Sequence, residues 1–138
     1  MGHPELVSAS DTPGAAFWKG GAVPTLIQIN IDSLTTDTGN TGQTHILRAG
    51  LAMGMVTADG NYREYDDGND PAGIGVCLGF LWHTVNVKDS QGTARDTTGI
   101  LCIGGQGLID EDLVFGLDAN GKTDLANKFL FSSSYEAS

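Results

Sequence analysis

The chain has 138 residues, 17 of them acidic and 7 basic, so its formal net charge is −10. A chain of this length forms one domain that buries about two thirds of its unfolded surface, and its charge disfavours DNA, RNA and anionic membranes as partners. No apolar stretch reaches the roughly 20 residues of a membrane span, and residues 1–10 lack the order of a secretory signal, so we expect a soluble protein made in a cytosol.

Residues 1–22 show no helical or strand periodicity and are rich in Gly, Ala, Ser and Pro, which predicts a flexible N-terminal arm. Its bulky apolar residues are Leu6, Val7, Phe17 and Trp18. Such side chains suit an arm that binds a partner. The alternative is that Phe17 and Trp18 fold back on the body.

Residues 23–138 are predicted to form a single β domain, because the 20 glycines of the chain and several apolar alternations favour strands with tight turns. Residues 23–32 alternate, with Ile27, Ile29 and Ile31 on one face. Residues 33–44 are polar apart from Leu34 and predict an exposed, mobile loop.

Residues 45–65 predict two strands bent at Gly50 and Gly54, followed by a hairpin whose turn is Asp59-Gly60. In the second arm of the hairpin, Tyr62 and Tyr65 are expected on one face, more consistent with a core than with a contact surface.

Residues 73–83 predict one long apolar strand, curved at its glycines, and residues 99–109 predict one further buried strand. Cys77 and Cys102 lie in these apolar runs, so we expect buried free thiols rather than a disulfide.

The C-terminal region predicts two short helices. Asp110 is a suitable N-cap for the first, with Leu113, Val114 and Leu117 on its apolar side. The second is expected from Thr123 to Lys128, after a turn at Asn120-Gly121.

The acidic segments, residues 66–70 and 118–124, do not match a calcium loop, because the first lacks a bidentate Glu and the second has Lys122 at a ligand position. The His and Cys residues lack zinc-site spacing. No nucleophile motif and no phosphate-binding loop occurs. We therefore expect no catalytic residues, no metal and no cofactor.

The order of several segments resembles the head decoration proteins of tailed bacteriophages, of the lambda protein D type. The resemblance covers about residues 47–131. Its main segments are Ala49-Gly50, the hairpin at 57–62 with the "YDDG" that follows, the segment 72–75, and "EDLVF" at 111–115.

This resemblance implies a small β-tulip-like barrel without enzyme activity. It implies a homotrimer on the outer surface of the virion capsid, at three-fold and quasi-three-fold sites of an expanded head. The arm would bind the major capsid protein by adding a strand, with Leu6, Val7, Phe17 and Trp18 as capsid-binding residues. The loop at 33–44 has no counterpart in that pattern.

Two other functions are left open by the sequence. A carbohydrate-binding or adhesin module would use exposed Trp18, Trp82 and the two tyrosines as platforms. A trimeric hydrolase of small molecules would need polar residues such as Asp66, Asp67 and Asp70 at a subunit seam.

Overall fold

The protein was analysed as a computed structural model, which describes residues 6–7, 16–20, 23–68, 73–88, 91–105 and 107–132. It is mostly β, as predicted, with one short α-helix in the described residues, α1 (Ala119–Asp124), and a 3₁₀ turn (Glu111–Leu113). The strands in chain order are β1 (Leu6–Val7), β2 (Trp18–Gly20), β3 (Thr25–Ile31), β4 (Ile46–Leu47), β5 (Ala52–Met55), β6 (Tyr62–Glu64), β7 (Gly79–Leu81), β8 (Val85–Asn86), β9 (Thr97–Gly104), β10 (Gly107–Asp110) and β11 (Phe129–Ser132).

Five strands close into a small barrel in the order β3-β6-β5-β7-β9, and β9 pairs back to β3. The β3–β9 pairing is antiparallel and runs the length of β3, whereas β3 meets β6 in parallel at a single pair, Ile31 and Tyr62. Strand β1 pairs with the start of β3. Closure removes most free strand edges, which otherwise promote aggregation.

A second sheet has the order β11-β10-β2, with β11 parallel and β2 antiparallel to β10. A short two-stranded sheet joins β4 to β8. The predicted single strand at 99–109 is therefore two strands, β9 and β10, in different sheets. The break lies at Gly105, whose φ of 113° and close approach to the carbonyl of Val23 leave no room for a side chain.

Successive residues of the barrel strands enter two separate cores, because strand side chains alternate between faces. The barrel core is filled from all five barrel strands and includes Ile29, Met53, Tyr62, Leu81 and Leu101. The outer core lies between the barrel wall and the second sheet, and includes Leu26, Ala52, Phe80 and Cys102 from the barrel and Phe17, Ile109, Leu125 and Phe129 from the covering elements.

The two cores explain why apolar residues occur in consecutive pairs, such as Phe80-Leu81, with one residue in each core. They also correct the prediction that Tyr62 and Tyr65 lie on one face. Tyr62 and Tyr65 are both buried, as expected for core residues, but they do not share a face. Tyr62 lies in the barrel core and Tyr65 in the outer core, since residues three apart in a strand point to opposite sides.

The hairpin is confirmed: β5 and β6 pair across the turn at Asp59-Gly60, and Gly60 has φ of 76°. The long strand predicted at 73–83 was wrong in extent, because only β7 is strand. Gly73 has φ of 97°, and a side chain there would overlap the Thr57 side chain and the Met55 carbonyl, so the chain turns there before it reaches β7.

The helical predictions at the C-terminal end need two corrections. Asp110 caps a single 3₁₀ turn rather than an α-helix. Helix α1 begins four residues earlier than predicted, because the side chain of Asp118 accepts a hydrogen bond from the Gly121 amide at 2.8 Å and serves as the N-cap. Gly121, placed in a turn by the sequence, lies inside this helix against the ring of Tyr65.

Candidate interaction site

In the described parts of the N-terminal segment, residues 6–7 and 16–20, the chain contacts the body at two places. At the first, β1 runs antiparallel to the start of β3, with Leu6 opposite Ile27 and Val7 opposite Leu26. This strand is two residues long. A pairing of this length contributes little net free energy, because each backbone hydrogen bond returns about 0.5–1.5 kcal/mol and each ordered residue costs about 1–2 kcal/mol.

At the second place, Phe17 enters the outer core and is 1% exposed. Its ring lies 5.6 Å from that of Phe80 and 5.5 Å from that of Trp82, between ring centroids. The carbonyl of Phe17 also accepts a hydrogen bond from the Asp110 amide at 2.8 Å. For this residue the structure favours the alternative in which it folds back on the body, since its ring is buried against Phe80 and Trp82.

Trp18 begins β2 and is half-buried. Its indole lies directly over Gly107 in β10, where an added methyl group would overlap the six-membered ring. Trp82 and Phe129 flank it at centroid distances of 6.2 and 6.4 Å. Trp18 thus also folds back on the body, and glycine at 107 makes that possible.

The loop at 33–44 is mostly exposed, as predicted, but a buried carboxylate within it contacts the body. Asp37 is 0% exposed and accepts hydrogen bonds from Arg48 Nε at 2.7 Å, Arg48 Nη2 at 3.0 Å and the Arg48 amide at 3.1 Å. The hydrogen bond to Asp37 raises the pKa of Arg48 above its ordinary value. The guanidinium in turn lies 3.6 Å from the ring centroid of Phe115, so the loop is joined to the 3₁₀ region.

The start of this loop, which follows β3, lies against β6, and β6 has a half-buried carboxylate. Glu64 accepts a hydrogen bond from Thr38 Oγ1 at 2.7 Å, while Thr35 is buried and donates to the Tyr62 carbonyl. Burial raises the pKa of Glu64. No signal in the sequence indicated these contacts, because they join residues that are distant along the chain.

The acidic turn after β6 lies against helix α1. Tyr65 donates a hydrogen bond to Asp118 Oδ1 at 2.7 Å, and Asn120 donates to Asp67 Oδ2 at 2.7 Å. Burial of Tyr65 raises the pKa of its hydroxyl, and the hydrogen bond to Asp118 and the charges of Asp118, Asp67 and Asp124 raise it further. The Gly121 amide and then the Tyr65 hydroxyl lower the pKa of Asp118.

The positions of the His, Cys, Asp and Glu side chains show whether the described residues could bind a metal ion or supply a reactive thiol. Within the described ranges, no group of three His, Cys, Asp or Glu side chains is placed to hold a metal ion; Asn69 and Asp70 lie outside those ranges. Both cysteines are free and buried, as predicted, and burial raises the pKa of each thiol to about 12. Such a thiol is protonated at neutral pH and is a poor nucleophile.

Of the four residues predicted to bind a capsid, the structure brings Phe17 and Trp18 together in and beside the outer core. It places Leu6 and Val7 apart from them, on the barrel edge at β3. The part of the chain that the structure describes has no helix long and apolar enough to cross a membrane. Comparison with models of known families, with curated proteins and with solved structures found no match for this chain.

Proposed function

We propose that this protein is a structural decoration protein of a tailed-phage head. It binds the major capsid protein as a homotrimer at three-fold and quasi-three-fold sites of the expanded capsid, on the outer surface of the virion, and stabilises the shell against internal DNA pressure. The observation that carries the proposal is the graded attachment of the N-terminal segment, weak at β1 and firm at Phe17.

Weak attachment at β1 supports a role in strand exchange. Two residues paired with the edge of β3 can separate at small cost, and an extended segment that leaves one sheet edge can add to another. Full burial of a Leu or Val side chain against a capsid returns about 1.5–3 kcal/mol. A trimer offers three such segments at once, which multiplies affinity without new kinds of contact.

Firm attachment at Phe17 and Trp18 changes the role expected of these two residues. A ring that already fills the outer core gains nothing from burial elsewhere unless it first leaves that core. We therefore assign Phe17 and Trp18 to the root that joins the arm to the body, and keep Leu6 and Val7 as the proposed capsid contacts.

The acidic charge is compatible with this location. A protein on the outer face of a capsid is in contact with solvent and the coat, and a net charge of −10 keeps it soluble and away from the packaged DNA.

The carbohydrate-binding alternative requires aromatic platforms that sugars can reach. Trp82 is 3% exposed, and Tyr62 and Tyr65 are 5% and 4% exposed. Trp18 covers Gly107 rather than facing solvent with both sides. These placements disfavour the carbohydrate-binding alternative. Asp66 and Asp67 accept hydrogen bonds from the Gly68 amide and from Asn120, which does not favour the hydrolase alternative.

The proposal is tested by mixing the protein with expanded heads assembled without a decoration protein. We expect saturable binding at three-fold positions, visible by electron microscopy, and a higher temperature for DNA release from filled heads. An acidic β-barrel protein of similar size serves as the control. Heads that neither bind the protein nor become more resistant to heat would contradict the proposal.

A further inference from the structure

A buried aspartate contacts the base of the N-terminal segment at two points. We call that base, residues 17–20, the arm root; it consists of Phe17 and β2. Asp110 is the last residue of β10 and is 0% exposed. Its amide donates to the Phe17 carbonyl at 2.8 Å, and its Oδ2 lies 3.6 Å from Nζ of Lys19. Asp110 therefore joins the body to the arm root through both its backbone and its side chain.

The pairing of β2 with β10 is irregular at Lys19. Ile109 pairs with Trp18, but Leu108 pairs with Gly20, so Lys19 is an extra residue between the two pairs. A β-bulge of this kind changes the direction of a side chain. The Lys19 side chain is 35% exposed, whereas that of Asp110 is 1% exposed. The bulged residue is thus the one whose ammonium group pairs with the buried carboxylate.

The carboxylate of Asp110 is also held by its other oxygen. Asp110 is the N-cap of the 3₁₀ turn, and its Oδ1 accepts a hydrogen bond from the Asp112 amide at 3.1 Å. Removal of the Lys19 ammonium would leave this buried charge without that cation, which is strongly destabilising. An exposed ion pair contributes much less. The pair of Lys122 with Glu111 is of this second kind, because its side chains are 43% and 31% exposed.

The arm root sets the length of chain between the proposed capsid contacts and the body. Ten residue steps separate Val7 from Phe17, whereas eighteen separate Val7 from Thr25, where β3 begins. If the arm root left β10, the tether from capsid to body would nearly double in length. A longer tether holds its two ends together less firmly, because effective concentration falls with tether length. We therefore expect a short tether to stabilise the shell better than a long one.

We propose that Asp110 is a latch for the arm: through Lys19 and Phe17 it holds the arm root against β10 while β1 is bound to the capsid. The inference rests on the proposed function and deepens it, because it names the residue that keeps the tether short. Asp110 is a positioning residue in this scheme, and neither it nor Lys19 contacts the capsid. Its effect on the shell depends on the arm, whereas its effect on β2 can be measured without a head.

Hydrogen exchange of the purified full-length protein tests the latch itself. Lys19→Met removes the cation and keeps most of the apolar stem, so the Asp110 amide, which donates to the arm root, should exchange about tenfold faster. Lys122→Met is the matched control, because it also removes one positive charge and breaks an ion pair, but an exposed one. It should change the exchange of the Asp110 amide by less than about twofold. The Tyr65 amide, which donates to the Ala52 carbonyl in the barrel, should exchange equally in both variants.

The second measurement uses filled, expanded heads decorated to equal occupancy, so that differences in affinity do not contribute. Heads that carry the Lys19→Met protein should release DNA at a lower temperature than heads that carry the wild type or Lys122→Met. Asp37→Asn separates the latch from a general loss of stability, because this buried carboxylate pairs with Arg48 and not with the arm root. Heads that carry it should match the wild type. Far-ultraviolet circular dichroism establishes that each variant is folded below the temperature of release.

Three results would overturn the inference. The Asp110 amide could exchange as slowly in Lys19→Met as in Lys122→Met, heads that carry Lys19→Met could release DNA at the wild-type temperature, or heads that carry Asp37→Asn could release it as early as those with Lys19→Met. In each case the decoration function stands without the latch. A wild-type protein that does not bind heads contradicts the proposed function instead, and the exchange measurement then still shows whether Asp110 holds the arm root.

Discussion

Strands β1 and β2 belong to the same N-terminal segment but are attached to the body by different forces. Strand β1 is held by two residue pairs on the barrel edge. Strand β2 is held by pairing with β10 and by aromatic rings, with Phe17 in the outer core and Trp18 over Gly107. The described pairing of β1 is two residues long, whereas buried side chains fix β2 to the body. The proposed exchange of β1 on the capsid depends on this difference.

The largest expected effect comes from cutting the segment on either side of Phe17. Removal of residues 1–22 deletes a ring that is 1% exposed, and should lower the free energy of unfolding by about 3–5 kcal/mol. Removal of residues 1–15 keeps that ring and deletes the β1 pairing, which is the contact that the described part of those residues makes, so we expect a loss of about 1 kcal/mol or less. Urea denaturation of both proteins measures the difference, and equal losses would break the comparison.

A similar distinction applies to the loop at 33–44, which is held by a side chain rather than by strand pairing. Asp37→Asn keeps the shape of a fully buried group but removes the charge that pairs with Arg48. We expect a loss of about 1.5–3 kcal/mol in the free energy of unfolding. Asp59→Asn, in an exposed turn, is the matched control and should change it by less than about 0.5 kcal/mol.

Substitution at Gly107 tests the role of Trp18 without touching the N-terminal segment. Gly107→Ala places a methyl group where the indole lies, and should cost about 1–3 kcal/mol through overpacking. Gly104→Ala is the control, because its added methyl group would only approach Lys128 Cβ at 3.8 Å. Tryptophan fluorescence should shift to longer wavelength in the Gly107 variant alone; an unshifted spectrum would count against the placement of Trp18.

The last effect is absent near neutral pH and concerns the two thiols, which report on the outer core. Burial raises the pKa of both thiols from the ordinary value of a cysteine to about 12 in the fold. A raised thiol pKa favours the protonated folded state, so this contribution to stability is complete below pH 9 and is lost as the pH rises towards 12.

Labelling with a thiol reagent at pH 8 follows this core directly. Labelling of the folded protein should be slow, similar for the protein that lacks residues 1–15, and faster for Gly107→Ala, which loosens β2 over the core. Fast labelling of the intact protein would show that the thiols are accessible.

The sequence predicted the parts of the fold that depend on local pattern. Strand β3, the turn at Asp59-Gly60 and the buried cysteines follow from alternation, from positive-φ turn residues and from apolar context. The turn at Gly73, at the start of the apolar run, was not predictable. Glycine at that position is consistent with a curved strand or with a turn, and only the close approach to the Met55 carbonyl distinguishes them.

The candidate sites depend on contacts between distant residues, which explains why less of them was predicted. Asp37 appeared as one polar residue in a polar loop, and its burial depends on Arg48 and Phe115. Helix α1 was predicted too late in the chain, because Asn120-Gly121 is typical of a turn. In the structure, hydrogen bonds of Asp118 with the Gly121 amide and the Tyr65 hydroxyl stabilise a helix there. Phe17 lies in a segment without strand or helix periodicity. The sequence therefore could not show whether its ring is buried in the core or available to bind a partner.

The most direct test of the central claim is the affinity of the protein that lacks residues 1–15 for expanded heads, compared with that of the intact protein. The truncated protein keeps Phe17 and should remain folded. If Leu6 and Val7 each contribute about 1.5–3 kcal/mol on the capsid, the loss is at least about a hundredfold in affinity per arm. Equal affinity of the two proteins would contradict the account.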